Sequence, residues 1–228
     1  DEDLKSMILA LVKYNKDSFS DIIEGKGGGC MFLLHGEPGL GKTLTAEAVS
    51  EYLGRPLYSI TMGELGTEPD VIEERLRDVL ELAGILNAVV LLDEADIFLE
   101  KRTTGDVIRN AIVGIFLRLL EYHNGVLFMT SNRVNEFDTA FQSRISAIIH
   151  YPKMTDITRT KIWANLLDSA MVTTLDPTIL AQMAPLNGRQ IKNVIRSALV
   201  FAKSEDREIR IEDISRSMKL VAPINPHE

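Results

Sequence analysis

The octapeptide Gly36-Glu37-Pro38-Gly39-Leu40-Gly41-Lys42-Thr43 limits the folds open to this chain more than any other stretch. It follows an apolar run, Cys30-Met31-Phe32-Leu33-Leu34, and leads into Leu44-Thr45-Ala46-Glu47-Ala48-Val49, which has helical character. A strand, a G-x-x-x-x-G-K-[ST] turn and a helix together form a phosphate cradle. The glycines let the backbone approach an anion with no Cβ in the way. The amides at the helix start then point at the phosphates, where the helix dipole favours negative charge. On this reading the segment from Gly36 to Leu44 holds a nucleoside triphosphate, Lys42 reaches its β- and γ-phosphates, and the Thr43 hydroxyl holds Mg2+.

Composition narrows the partners. Of 228 residues, 45% are apolar and 25% charged, as in an ordinary water-soluble domain with room for a real core. A net charge of −8 disfavours binding to nucleic acid, whose phosphate backbone calls for a basic surface. The single cysteine, Cys30, excludes an internal disulfide and reads as a buried small hydrophobe. Four histidines and one cysteine supply no structural zinc cluster. No apolar run approaches a membrane span and no signal-peptide pattern opens the chain; an intracellular location is expected, in a compartment that the sequence does not give. The start at Asp1, without methionine, reads as an excised piece of a longer protein.

Taken in order, Leu4, Met7, Ile8 and Leu11 recur at helical spacing. Gly25-Lys26-Gly27-Gly28-Gly29 is a flexible turn into the strand before the phosphate loop. Gly54-Arg55-Pro56 ends the following helix. Leu57 to Thr61 reads as a second strand, and Pro69 opens a charged amphipathic helix. Ala88 to Leu92 is a short apolar run of the kind found in buried parallel strands. Val107 to Tyr122 reads as a helix, and Gly125 to Met129 and Ile145 to Ile149 as further strands. Strands alternating with helices predict a parallel sheet with helices on both faces, an α/β sandwich. Beyond Tyr151-Pro152 only helical patterns remain: one through Ile157, Ile162, Trp163 and Leu166, then Thr178–Met183, one through Ile191 to Leu199, and Ile211–Met218. This predicts a P-loop αβα domain over 1–152 and a small all-helical domain over 153–228.

The run Val89-Val90-Leu91-Leu92-Asp93-Glu94 ends a buried strand in two acids. Ligands of parallel sheets bind at the carboxyl ends of strands, which turns both acids toward the phosphate loop. Asp93 is placed to orient Mg2+ and Glu94 to act as general base on the attacking water. Gly125 to Arg133 repeats the layout, ending in Thr130-Ser131-Asn132. The Asn132 amide can hold that water or touch the γ-phosphate, and Thr130 and Ser131 can fill the same role.

Together these residues resemble the AAA+ ATPases, specifically the AAA-type core. Gly36 to Thr43 is similar to that family's Walker A motif, Val89 to Glu94 to its Walker B, and Thr130-Ser131-Asn132 to its sensor-1 strand end, which singles out Asn132. Phe137 to Ile145 resembles the segment that carries an arginine finger, making Arg144 the candidate, with Arg133 close by in sequence. Gly188-Arg189-Gln190-Ile191 resembles the sensor-2 start of a lid helix, with Arg189 reaching toward the γ-phosphate. The likeness covers nearly the whole chain in family order, and its pattern is similar to a group of AAA-type ATPases known mainly from fungi. It implies ATP and Mg2+ as ligands, hydrolysis, a nucleotide bound between the two domains at a subunit interface, and a homo-oligomeric ring, a hexamer, that remodels a protein partner whose identity the sequence does not give.

Two departures bear on that last expectation. Threading members carry an aromatic residue in the loop after the second strand, whereas Met62 to Asp70 has none, and the segment after Arg144 lacks a second nearby arginine. Competing readings are a clamp-loader-like role on nucleic acid, a non-hydrolysing switch or scaffold, and a helicase, suggested by Asp93-Glu94-Ala95-Asp96. The helicase needs a second nucleotide-binding-like domain, which the helical residues after Pro152 do not supply.

Overall fold

The computed structural model describes residues 6–13, 29–99, 105–133 and 139–221. Leu4, the glycines from Gly25 to Gly28, and Phe137-Asp138 lie outside the described residues. The chain divides into two compact units. One comprises Asp1–Gly36 and Lys42–Tyr151; the other comprises Glu37–Gly41 and Pro152–Glu228.

In the first unit five strands form one sheet: β1 (Cys30–Gly36), β2 (Leu57–Thr61), β3 (Val89–Asp93), β4 (Val126–Ser131) and β5 (Ala147–Tyr151). Their spatial order is β2-β3-β4-β1-β5, with every pairing parallel. Such pairings require crossovers, and the chain supplies helices for them. α1 (residues 6–13) and α2 (Lys42–Leu53) pack on one face, while α4 (Pro69–Leu86) and α6 (Val107–Glu121) pack on the other.

The two-residue period of a strand sorts the side chains between these faces. Cys30, Phe32 and Leu34 of β1 join Val89, Leu91, Val126 and Phe128 on the α1–α2 side. Met31, Leu33, Val90, Leu92, Leu127 and Met129 face α4 and α6. Phe32 and Phe128 pair in register and stack with ring centres 4.9 Å apart. Both faces of the central strands are therefore buried, which is why they read as unbroken apolar runs rather than as alternation.

Single-turn helices punctuate the strand ends: α3 (Met62–Leu65), α5 (Asp96–Leu99) and α7 (Thr139–Gln142). The stretch after β2, expected as a plain loop, thus begins as a helical turn. The Glu64 carboxylate closes it, accepting from the Thr61 amide at 2.6 Å and hydroxyl at 2.9 Å. Those bonds hold the carboxyl below its usual range. The last strand also differs from expectation, since it runs over Ala147–Tyr151 instead of Ile145–Ile149. Its ladder starts where Ala147 meets Phe32 of β1, whereas Ile145 is held by the turn after α7, its amide bonded to the Phe141 carbonyl at 3.1 Å.

The second unit is helical: α8 (Asp156–Ser169), α9 (Pro177–Met183), α10 (Gly188–Ser204) and α11 (Ile211–Val221). Each of the first three starts on a side-chain cap, from Thr155, Asp176 and Asn187 respectively. Trp163, Leu180, Ile191, Val194, Ala198 and Ile214 form its core. Arg159 is buried there and donates to the carbonyls of Leu186 at 3.2 Å and Ala181 at 3.3 Å, and to Asp156. Among the described residues, no helix is long and apolar enough to cross a membrane.

Candidate active site

The carboxyl ends of β1, β3 and β4 bring five of the expected residues, Gly36, Lys42, Thr43, Asp93 and Asn132, into direct contact. Lys42, the first residue of α2, is buried, and its ammonium donates to the Gly36 carbonyl at 2.7 Å and to Asn132 Oδ1 at 2.9 Å. The Thr43 hydroxyl lies 3.2 Å from Asp93 Oδ1 and 3.4 Å from Oδ2. One helical turn thus meets β3 through Thr43 and β4 through Lys42. Desolvated charges of this kind need partners, and Gly36 and Asn132 are among those of Lys42.

Glu94 follows Asp93 at the mouth of this cluster with its side chain exposed. Its φ of 58° lies in the left-handed region, which an L residue adopts only when its surroundings hold it there. The Glu94 side chain is thus exposed at the end of β3 rather than packed against the sheet.

The phosphate-loop residues Glu37–Gly41 group with the helical unit. The Gly188 amide donates to the Gly39 carbonyl at 3.2 Å. Gly39 has φ 80°, and a Cβ there would sit 2.6 Å from the Asn187 side chain, so both conformation and space demand glycine. At Gly41 the demand is conformational alone, at φ 92°. Glu37 and Pro38 are exposed, Leu40 is half-buried, and Leu44 turns its side chain outward. These four would therefore serve a ligand through backbone rather than side chain.

Within the sheet unit Arg144 stands apart from the cluster, and Arg189 belongs to the helical unit. Arg144 lies between α7 and β5, at the amino end of a strand whose far end, Tyr151, is the residue beside Gly36. The strand that precedes it, β4, ends among the cluster, but the chain has returned to the opposite end of the sheet by Arg144. Its guanidinium donates to the Ala140 carbonyl at 2.9 Å and lies 3.8 Å from Glu121 of α6. Arg189 is exposed in the first turn of α10, flanked by the reciprocal cap of Asn187 and Gln190, both bonds 2.9 Å.

Sequence reasoning passed over several contacts that shape the site. The Thr130 hydroxyl donates to Asp93 Oδ1 at 2.5 Å and accepts the Glu94 amide at 3.0 Å. Ser131 donates to Asp96 Oδ1 at 2.5 Å. The hydroxyls of Thr45 and Tyr151 share a 2.5 Å hydrogen bond that ties α2 to the end of β5. His35 and His150 pack with ring centres 4.9 Å apart beside the loop; burial, then His150, then Lys42 hold the His35 imidazole below its ordinary range. The one available signal was the run of three polar residues closing an apolar strand, which marks them as a group without assigning their partners.

A donor set of a hydroxyl and a carboxylate suits Mg2+, a hard cation that keeps several waters and takes few protein oxygens. Thr43 and Asp93 supply that set. Among the described residues, no three of His, Cys, Asp and Glu gather into a metal site of their own.

The chain is similar to known proteins. The family model described as "ATPase family associated with various cellular activities (AAA)" matches residues 32–153. The chain is 33% identical over 128 residues to ATPase family AAA domain-containing protein 3B of Homo sapiens, covering 52% of this chain and 19% of that protein. It is 30% identical over 108 residues to a Lon protease of Frankia alni, covering 42% of this chain and 12% of that one. A longer match, 27% identical over 221 residues, reaches an uncharacterized AAA domain-containing protein, ycf46, of Guillardia theta, covering 84% of this chain and 40% of that one. The chain thus spans from 12% to 40% of the length of these relatives.

Proposed function

We propose, from the premise that this chain belongs to the ATPase family associated with various cellular activities (AAA), that it hydrolyses ATP in a Mg2+-dependent reaction and works as a ring-forming motor on a protein partner. The observation that carries the reading is the hydrogen-bonded meeting of Lys42 with Asn132 and of Thr43 with Asp93 at the strand ends. Amides from Gly36 to Leu44 and the Lys42 ammonium bind the phosphates, and Lys42 exchanges its Asn132 contact for phosphate oxygens. Thr43 and Asp93 hold Mg2+, which when bound neutralises charge developing on the phosphates. Asn132, released from Lys42, orients the attacking water, and Glu94 takes its proton.

Arg144 stands away from its own cluster, which favours action on a neighbouring subunit's nucleotide in a homo-oligomer, a hexamer by family habit. Arg189 senses the γ-phosphate from the helical domain, assigned here to 153–228, with the nucleotide domain at 1–152. The net charge of −8 favours a protein rather than a nucleic acid as client, in an intracellular setting where ATP is present. Leu65, in the stretch after β2, is fully buried and the segment has no aromatic side chain, so remodelling proceeds without the aromatic grip of a threading pore.

The test is Glu94→Gln, which keeps the shape of the side chain and removes its basicity. Turnover should fall by about 10²- to 10⁴-fold while ATP affinity stays near that of the wild type. Hydrolysis at the normal rate in this variant would take the base role from Glu94.

A further inference from the structure

The last two side chains of β4 and the residue after it, Asn132, divide their contacts among three elements. Asn132 bonds Lys42 of α2, Ser131 bonds Asp96 of α5, and Thr130 turns to the end of β3. Of these three residues, Thr130 bonds both acids of that strand end. Its hydroxyl donates to Asp93 Oδ1 and its oxygen accepts the Glu94 amide, which uses the donor and one lone pair in opposite directions. The next amide, Ala95, bonds the Thr130 carbonyl at 2.9 Å, so two successive amides of the turn are anchored to one residue. Thr130 is 2% exposed, and solvent offers little competition for these bonds.

Packing alone does not require this hydroxyl. Val fills the same volume and is a stronger strand former, as the apolar residues just before it illustrate. What Val cannot do is hold Asp93 and the Glu94 amide together. Glu94 sits at φ 58°, a conformation its Cβ resists, and the bond from its amide to Thr130 is a direct restraint keeping it there.

We propose that Thr130 is a positioning residue for hydrolysis. Its hydroxyl fixes the Asp93 carboxylate against Thr43 and pins the Glu94 backbone, so that the base projects at one height above the sheet. The inference rests on the ATPase reading above, but its geometric half can be measured without turnover.

The experiment compares Thr130→Val with Thr130→Ser, which loses the methyl group and keeps the hydroxyl. Amide exchange at Glu94 in nucleotide-free protein is followed by NMR. Affinity for a fluorescent ATP analogue is measured in EDTA, and steady-state hydrolysis is titrated with Mg2+. In Thr130→Val the Glu94 amide should exchange at least ~10-fold faster, and kcat should fall about 10- to 100-fold, the scale of one hydrogen bond to a charged group. The Mg2+ concentration for half-maximal rate should rise, while metal-free affinity stays within about twofold, because Thr130 touches no phosphate-binding group. Thr130→Ser should restore exchange, rate and Mg2+ dependence together. A Thr130→Val protein with a protected Glu94 amide and normal kcat overturns the proposal. So does a loss that Thr130→Ser fails to restore, since the hydroxyl would then not be the cause. Wild-type protein that binds ATP without hydrolysing it would refute the ATPase reading alone, and the Glu94 exchange would still decide the positioning role.

Discussion

In the sheet unit, polar side chains gather at one end of the strands, where Lys42, Thr43, Asp93, Thr130 and Asn132 bond one another. In the helical unit they are spread through the packing. Arg159 ties carbonyls of separate segments together, and Arg207 grips Asp213 at the start of α11 through two bonds of 2.6 and 2.8 Å. Among the described residues, two buried groups of its core, Trp163 Nε1 and Ser217 Oγ, have no hydrogen-bond partner, and the same holds of His123 Nε2 in the sheet unit. The difference lies in what each arrangement can lose. A polar group at the strand ends sits beside an apolar core already complete on both faces, so its removal costs chemistry. A polar group inside the helical unit is part of the core, so its removal costs stability.

Arg144 is the sharpest way to break this contrast, because like Arg159 it bonds a main-chain carbonyl of its own chain. If it acts on a neighbour's nucleotide, Arg144→Ala should lower kcat by roughly 10³- to 10⁵-fold, with ATP still bound. Mixing Arg144→Ala with Glu94→Gln should recover activity at interfaces that pair an intact Glu94 with an intact Arg144. A variant that melts several degrees lower and keeps its turnover would put Arg144 with Arg159 as a structural arginine.

Next in size is Trp163→Ala in the helical core. Truncating a fully buried aromatic costs about 3–5 kcal/mol, which thermal unfolding will register, while ATP affinity well below the midpoint should stay within about twofold. Trp163→Phe should cost much less, because the indole N–H it discards has no partner to lose. A large drop in affinity in either variant at low temperature would mean that the helical core does more than hold itself together.

The smallest effect separates the units by acid. His123, buried in the sheet unit, has its imidazole pushed by burial down to about 4. A histidine whose folded pKa lies below 6.5 costs stability as pH falls from about 6.5 to 4, because the unfolded chain takes the proton first; the total is about 3 kcal/mol. In the helical unit the hydrogen bonds from Arg207 hold the Asp213 carboxyl at about 2, against an ordinary 3.8. Its contribution is intact above 3.8 and fades from there down to about 2. Acid should therefore loosen the sheet unit first. Exchange of β4 amides reports that unit, and the emission of the single tryptophan, Trp163, reports the other. Tryptophan emission that shifts before the β4 amides lose protection would reverse the order.

The sheet was legible in the sequence wherever a strand was buried on both faces. The runs ending at Leu34, Leu92 and Met129 announce themselves by composition, and the residues that follow them carry the motifs. At the edge this signal weakens. Ile145 and Ile148 look alike in sequence, yet Ile145 packs in a turn while Ile148 stands half exposed in β5, because pairing with β1 sets the register. The one-turn helices α3, α5 and α7 are too short for a period to show. Within the site, the motif residues were readable as types with known spacing. The partners of Thr130, Ser131 and Tyr151 were not, since those bonds join residues between 35 and 106 positions apart.

The left-handed backbone at Glu94 carries a consequence for how such a chain changes over generations. Holding an L residue there costs on the order of 1–2 kcal/mol, a penalty that glycine escapes. The wild-type chain is therefore less stable than its fold permits, and the shortfall is lodged at the residue assigned to proton abstraction. A duplicated copy released from the need to turn over ATP would gain stability at its first inactivating step if that step placed glycine at this position. Loss of hydrolysis would then be favoured by folding itself, and catalysis at this site would persist only while selection for turnover outweighed that pull.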